Sequence, residues 1–229
     1  FTKKELEPLA NEFRQNLESG TNVKSVQEGS HIQLEQPFLN TRHVLPLALN
    51  KKIVDIATAY YKCIPALGTC NLRRSSAAFT KNNGTNKFHR DFNSPVKFLK
   101  FFVYLNDVSV DNGPFTYVKG SNVRVPHNWQ SQHRWEDSQI ISLYGADSIV
   151  HLTASYGDLL VATTTGFHKG TVLKKGIRDM LTLNYVIAPE VRNQSVDEES
   201  SRFLISKKQY DSLEPWQKPL TDFLEKVTL

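Results

Sequence analysis

Apolar residues recur at helical spacing near the start of the chain. Leu6, Leu9, Phe13 and Leu17 predict a helix over 2–18, and Leu47, Ile53, Ile56 and Ala57 predict a second amphipathic helix over 45–62. From about Asn71 the pattern shortens. Short β-type runs alternate with turn signals at Asn82-Asn83-Gly84, Asp111-Asn112-Gly113-Pro114, Lys119-Gly120-Ser121-Asn122 and Lys175-Gly176. Within 97–106 the odd positions from 99 on, Leu99, Phe101, Val103 and Leu105, are all apolar, whereas Phe98, Lys100, Phe102, Tyr104 and Asn106 are mixed. The run 178–187 repeats this, with Leu181, Leu183, Tyr185 and Ile187 against Arg178, Met180, Thr182 and Asn184. Side chains alternate faces along a strand. Such strands fit a mainly β barrel or jelly roll with helices packed outside and a chemically equipped cavity inside. After Pro189 the chain turns polar. Residues 194–202 read as a loop, and 206–227 as one or two short helices around Tyr210, Leu213, Trp216, Leu220, Phe223 and Leu224.

The size of the chain, 229 residues with 39% hydrophobic content, suits one sizeable core. The expectation is a single domain over 1–229: a helical part at 1–65, a barrel core at 70–190 and C-terminal helices at 200–229. The net charge of +5 raises the question of an anionic partner. Basic residues are scattered in runs of two at most, which argues against nucleic acid; an anionic small substrate accounts for the excess equally well. Cys63 and Cys70 are too few for a disulfide framework and are not spaced as zinc ligands. No apolar stretch reaches membrane length and no secretory leader is visible, so the expected location is the cytoplasm.

The candidate chemistry starts at Phe88-His89-Arg90-Asp91-Phe92. In an extended segment His89 and Asp91 point to the same side and reach one metal ion. A second imidazole would complete the two-histidine, one-carboxylate facial set of non-haem Fe(II) oxygenases, which leaves positions open for a co-substrate and O2. His168 closes the run Gly157 to His168, and Arg178 opens another strand ten residues later. If 174–176 is a three-residue hairpin loop ending in Gly176, then Val172 pairs with Arg178, and His168 and Arg178 share a face. They would stand roughly 13 Å apart along the strand direction, a gap that a five-carbon dicarboxylate and an arginine side chain can bridge. A two-residue loop would put them on opposite faces.

Residues 88–122 resemble the phytanoyl-CoA dioxygenase family of 2-oxoglutarate oxygenases. The stretches are Phe-His-Arg-Asp-Phe from Phe88, Phe-Val-Tyr-Leu-Asn-Asp-Val from Phe102, and Asp-Asn-Gly-Pro-Phe-Thr-Tyr-Val-Lys-Gly-Ser-Asn from Asp111. Residues 157–185 are similar again, through Gly-Asp-Leu-Leu, Gly-Phe-His-Lys-Gly and Arg-Asp-Met-Leu-Thr-Leu-Asn-Tyr. The resemblance implies a double-stranded β-helix (cupin-like jelly roll). It implies Fe(II) held by His89, Asp91 and His168, and 2-oxoglutarate anchored by Arg178. With O2, a small-molecule substrate would be hydroxylated while succinate and CO2 are released. Related halogenases replace the metal carboxylate with a small residue, so Asp91 favours hydroxylation. The chain departs from the family's frequent Pro-Gly-Ser-His at Lys119–Asn122, a loop that is usually structural.

The alternation also puts Asn71, Arg73 and Ser75 on one face. Asn71, Tyr104 and Thr182 are expected beside Arg178 around the co-substrate, and Arg73, Ser75 and Lys100 at the substrate. His127, Trp129, His133 and Trp135 suggest a lid over 121–140, with neither histidine needed as a ligand. Three other readings compete: a catalytically silent jelly roll that binds a ligand or partner, a cupin-type isomerase or hydrolase using another divalent metal, and an oxygenase of nucleic acid or protein.

Overall fold

The computed structural model describes residues 1–26, 31–79, 82, 84–91, 99–126, 134–187 and 203–229. Helix α1 (Lys3–Ser19) begins at Thr2, whose hydroxyl accepts from the Glu5 N–H while the Glu5 carboxylate accepts from the Thr2 N–H. This reciprocal cap satisfies donors that a helix start leaves open. Gly20, at φ 67°, ends the helix in the left-handed conformation. Leu6, Leu9, Ala10 and Phe13 form its buried stripe.

The single helix expected over 45–62 is instead broken. Short helices α2 (Pro37–Asn40) and α3 (Val44–Ala48) precede α4 (Lys51–Tyr61). Asn50 is extended and its side chain accepts from the Lys52 N–H. A new helix therefore starts there, as an N-cap asparagine favours. The restart sets the α4 stripe at Ile53, Val54, Ala57 and Tyr61 and leaves Ile56 exposed.

The β-core comprises β1 (Val23–Val26), β2 (His31–Leu34), β3 (Ala66–Ser76), β4 (Leu99–Tyr104), β5 (Phe115–Val118), β6 (Ile149–Leu152), β7 (Leu159–Ala162), β8 (His168–Gly170) and β9 (Ile177–Val186). A major antiparallel sheet has the order β1-β2-β3-β9-β4-β7. A minor antiparallel sheet has the order β6-β5-β8. The sheets face each other: the Phe102 ring lies 4.6 Å from that of Phe115, and the Phe115 N–H donates to the Tyr104 hydroxyl at 3.3 Å. The expected mainly β jelly roll with flanking helices is what forms.

The alternation read along the chain decides which face of the major sheet meets the helices. Leu67, Leu72, Leu99, Phe101, Val103, Leu181, Leu183 and Tyr185 join α1, α3 and α4 in one buried cluster. Burying one such side chain contributes about 1.5–3 kcal/mol, so the outer face anchors the sheet. Adjacent strands carry the opposite residues in register: Ser75 faces Arg178, Arg73 faces Met180, and Asn71 faces Thr182, which itself faces Phe102. That inner face looks at the minor sheet.

Two expectations fail in their detail. His168 and Arg178 are not joined by a hairpin: β8 pairs with β5 and β9 pairs with β3 and β4. The segment 171–176 crosses between sheets, tied down by Lys174 and Lys175 N–H groups donating to the Asp111 carbonyl. The C-terminal region, expected as one or two short helices, is partly strand. It gives β10 (Leu204–Ser206), a five-residue α6 (Lys207–Asp211; α5 is Asp137–Tyr144), a 3-10 turn at Lys218–Thr221, and β11 (Glu225–Val227) parallel to β10. Pro215 and Pro219 interrupt the helical spacing of the apolar residues.

His127, Trp129, His133, Phe98, Asn83 and the loop 194–202 lie outside the described residues. Trp135 does not behave as part of a lid. It is 5% exposed, exchanges backbone hydrogen bonds with Phe88, and packs edge-on against Phe167 in a second small core. Among the described residues no helix is long and apolar enough to cross a membrane.

Candidate active site

His89 and His168 are brought together by their own backbones. The His89 N–H donates to the His168 carbonyl and the His168 N–H to the His89 carbonyl, both at 3.0 Å. Residues paired this way across antiparallel chain segments project side chains to the same side. The two ring centroids are 4.3 Å apart. Asp91 follows two residues on, its N–H donating to the Thr164 carbonyl. Its Oδ1 lies 3.9 Å from His89 Nε2 and its Oδ2 3.6 Å from His168 Nε2. One ligand atom from each residue lies within 4.8 Å of the other two, close enough for a single ion.

The tautomers suit that use. Nδ1 of His89 is 2.9 Å from the Lys87 carbonyl, and Nδ1 of His168 is 2.9 Å from the Gly166 carbonyl. A carbonyl only accepts, so each Nδ1 carries the proton and each Nε2 presents its lone pair to the centre. Burial, and then the neighbouring His168 ring, pushes His89 down to about 3, and burial likewise lowers His168. Both stay neutral, the form that binds metal. For Asp91, burial pulls upward but Lys100 and the two imidazoles more than offset it, leaving the carboxyl well below its ordinary range. Lys100 Nζ donates to Asp91 Oδ2 at 2.7 Å. The donor set is thus two neutral imidazoles and one carboxylate, which fits a hard-to-borderline divalent ion such as Fe(II).

The three groups sit at the wall of a cavity of about 260 Å³, below the about 300–1,000 Å³ of sites for drug-sized molecules and suited to small ligands. Its lining includes Asn71, Arg73, Ser75, Lys100, Thr182 and Arg178. Arg178 is buried at 5% exposure. Its guanidinium donates to the Gly113 carbonyl and, at 3.2 Å, to Ser75 Oγ. No carboxylate among the described residues forms an ion pair with it. Burial lowers its pKa from the ordinary arginine value. A buried cation facing a cavity without a counter-ion is built to receive an anion.

His168 and Arg178 therefore do share one cavity, though from facing sheets rather than one hairpin. Tyr104 does not line the cavity itself: it is fully buried and its hydroxyl accepts from the Phe115 N–H, but it lies close enough to Arg178 for the two to interact electrostatically. Of the residues expected at the substrate, Ser75 accepts from Arg178 and Lys100 donates to Asp91. His31 was missed. It is 4% exposed and its Nδ1 lies 2.9 Å from Ser75 Oγ. That hydroxyl also accepts from Arg178, so Ser75 links the three residues. Burial, then Arg73 and Arg178, pushes His31 down to about 4. Phe102, Phe115 and Met180 supply the apolar part of the wall. Gly170 was also overlooked: a Cβ there would stand 3.1 Å from Arg178 Nη2 and 3.5 Å from Asn86 Oδ1.

The family model described as "Phytanoyl-CoA dioxygenase (PhyH)" matches residues 1–172, about three quarters of the chain. The chain belongs to the phytanoyl-CoA dioxygenase family. This match takes in all three clustered ligands and stops short of Arg178, whose case rests on its position in the cavity. No curated protein matches at the sequence level. Among solved structures, the 2-oxoglutarate-dependent carbocyclase SnoK from nogalamycin biosynthesis superposes with a TM-score of 0.62 at 16% identity, covering 85% of this chain and 81% of its own. The epimerase SnoN, solved with Fe3+, 2-oxoglutarate and nogalamycin RO, gives 0.62 at 16% identity, covering 85% and 83%. HygX from Streptomyces hygroscopicus, solved with nickel and 2-oxoglutarate, gives 0.55 at 16% identity, covering 85% and 82%. At such identities the likeness establishes the fold, a jelly roll shared by this phytanoyl-CoA dioxygenase family member and metal- and 2-oxoglutarate-binding neighbours.

Proposed function

We propose that the chain is an Fe(II)- and 2-oxoglutarate-dependent dioxygenase that hydroxylates a small molecule and releases succinate and CO2. The carrying observation is the pairing of two complementary ends in one cavity. One end is the cluster His89, Asp91 and His168, and the other is the buried Arg178 with no acidic partner among the described residues. Family membership supports the same reading. The whole chain is taken as one catalytic domain, supported by a single buried cluster that runs from α1 through the major sheet to Leu224. The two free thiols fit a reducing cytoplasm.

The roles follow from the contacts. His89 and His168 hold iron through Nε2, their rings fixed by the Lys87 and Gly166 carbonyls. Asp91 supplies the third ligand, with Lys100 steering its second oxygen. Bound iron with 2-oxoglutarate and O2 supplies the oxidising power for a substrate C–H bond. Arg178 and Ser75 grip the far carboxylate of 2-oxoglutarate, while Asn71 and Thr182 line the path between the two ends. Phe102, Phe115 and Met180 keep that path dry, which strengthens each polar contact inside it. Hydroxylation is favoured because Asp91 keeps the carboxylate ligand in place. SnoK and SnoN, a carbocyclase and an epimerase, make ring closure and epimerisation the alternative outcomes on the same scaffold.

The test is direct. Fe(II) and 2-oxoglutarate added without oxygen should give a visible metal-to-ligand charge-transfer band, and oxygen should then convert 2-oxoglutarate to succinate. A protein that gives no band and no succinate with any candidate substrate is the silent jelly roll. Activity retained with zinc would instead point to a hydrolase or isomerase.

A further inference from the structure

Arg73 lines the same cavity from β3, one strand pair along from Ser75 and Arg178. Its Nε donates to Gln33 Oε1 at 2.8 Å, which fixes the side chain. The two Nη groups have no hydrogen-bond partner among the described residues, and Arg73 has no ion pair there. Its guanidinium interacts electrostatically with both Arg178 and Asp91. The charges of the loaded site explain why this matters. Iron brings two positive charges, which Asp91 and the near carboxylate of 2-oxoglutarate cancel. The far carboxylate cancels Arg178. Asp91, once bound to iron and held by Lys100, no longer offsets Arg73. Arg73 then remains as surplus positive charge in a partly apolar cavity, where uncompensated charge is costly.

Resting on the oxygenase reading above, we infer that the prime substrate is a small acid whose carboxylate or phosphoryl group is received by the two Nη groups of Arg73, with Gln33 holding the arginine in place. A fork of two parallel N–H donors matches either acid in a bidentate pair. The substrate is thereby the second anion in the cavity, with its acidic end set by Arg73. Neutral sugars and amines lack the group that Arg73 needs.

The experiment uses the intact protein loaded anaerobically with Fe(II) and saturating 2-oxoglutarate. Acetate and methylphosphonate are the probes, acetamide is the neutral control, and binding is read by calorimetry. The charge-transfer band reports that 2-oxoglutarate stays bound. At least one acid should bind while acetamide does not, and the stronger of the two tells carboxylate from phosphoryl recognition. Arg73→Gln should weaken that acid about tenfold or more and leave the 2-oxoglutarate Kd within about threefold, with Arg73→Lys between them. Acids that bind no better than acetamide overturn the inference, as does an acid that removes the charge-transfer band by displacing 2-oxoglutarate. An Arg73→Gln protein that loses 2-oxoglutarate tenfold places Arg73 at the co-substrate and also overturns it. Wild-type protein that binds no 2-oxoglutarate with Fe(II) overturns the oxygenase reading itself, whereas acid-blind protein that still binds it leaves that reading standing.

Discussion

The two ends of the cavity are built from opposite materials. At one end His89, Asp91 and His168 present lone pairs to a common point, on a short backbone pairing between residues 88–91 and 164–168. At the other end Arg178, Ser75 and His31 present a cation, a hydroxyl and an imidazole from adjacent strands of the major sheet. The first end offers ligand atoms for a cation, and the second offers a cation with no carboxylate partner among the described residues. That asymmetry singles out a ligand pair, a metal ion with a dicarboxylate, and it means the two ends should fail separately when broken.

Breaking the metal end should have the largest effect. Asp91→Ala or His168→Ala should drop iron-dependent succinate formation below about 1% of wild type, since removing one of three ligands leaves too few to hold iron productively. Circular dichroism should remain that of a folded chain, because the outer-face core is untouched. Breaking the arginine end comes next. Arg178→Gln should raise the 2-oxoglutarate Kd about 10–150-fold, the range for hydrogen bonds to a charged group, while iron affinity measured without 2-oxoglutarate stays within about threefold. Equal losses of iron and 2-oxoglutarate in that variant would mean that the ends are one structural unit.

Different features of the chain made the two ends legible to different degrees. His89 and Asp91 sit within three residues, so strand alternation alone places them together. The outer faces of β4 and β9 were equally plain, because Leu99, Phe101, Val103, Leu181, Leu183 and Tyr185 repeat with period two. The link from His168 to Arg178 was reached by the wrong route. A Gly at 176 marks a tight turn in a hairpin and in a sheet-to-sheet crossing alike, and a strand as short as β8 carries no pattern to name its neighbour. His31 was invisible because β2 is four residues long and the β3 partners that put it beside Ser75 are 40 or more positions away. The C-terminal helices were over-read from apolar spacing that Pro215 and Pro219 cut short.

A finer probe of the arginine end is Gly170. Its φ is not in the left-handed region, so alanine meets no backbone strain there. The added methyl would stand 3.1 Å from Arg178 Nη2, the movable end of a long side chain. Gly170→Ala should therefore shift the guanidinium by a few tenths of an ångström and raise the 2-oxoglutarate Kd about three- to tenfold, up to the about 1.4 kcal/mol that tenfold represents. Iron binding should be unchanged, although His168 is only two residues away. A variant that loses iron instead would show that the shared strand couples the ends.

The smallest effect concerns what the buried histidines cost the metal-free protein. His31 sits at about 4 and His89 at about 3, and His168 is also lowered, all by burial first. An unfolded histidine titrates near 6.5. Between those values the unfolded chain takes up protons that the folded chain refuses, so stability is full above about pH 6.5 and is lost as pH falls toward the folded values. Asp91, also lowered, adds a loss of the same sign, but only near and below its unfolded value of 3.8. Measurements kept above pH 5 therefore isolate the histidines. The metal-free Tm should fall by about 4 °C or more from pH 7.5 to pH 5, as one to two kcal/mol does for a chain of this size. His31→Asn should flatten that slope without abolishing it, because His89 and His168 remain. A Tm independent of pH over this range would mean that the imidazoles are solvated in the metal-free protein, and that the metal end closes only when its ion arrives.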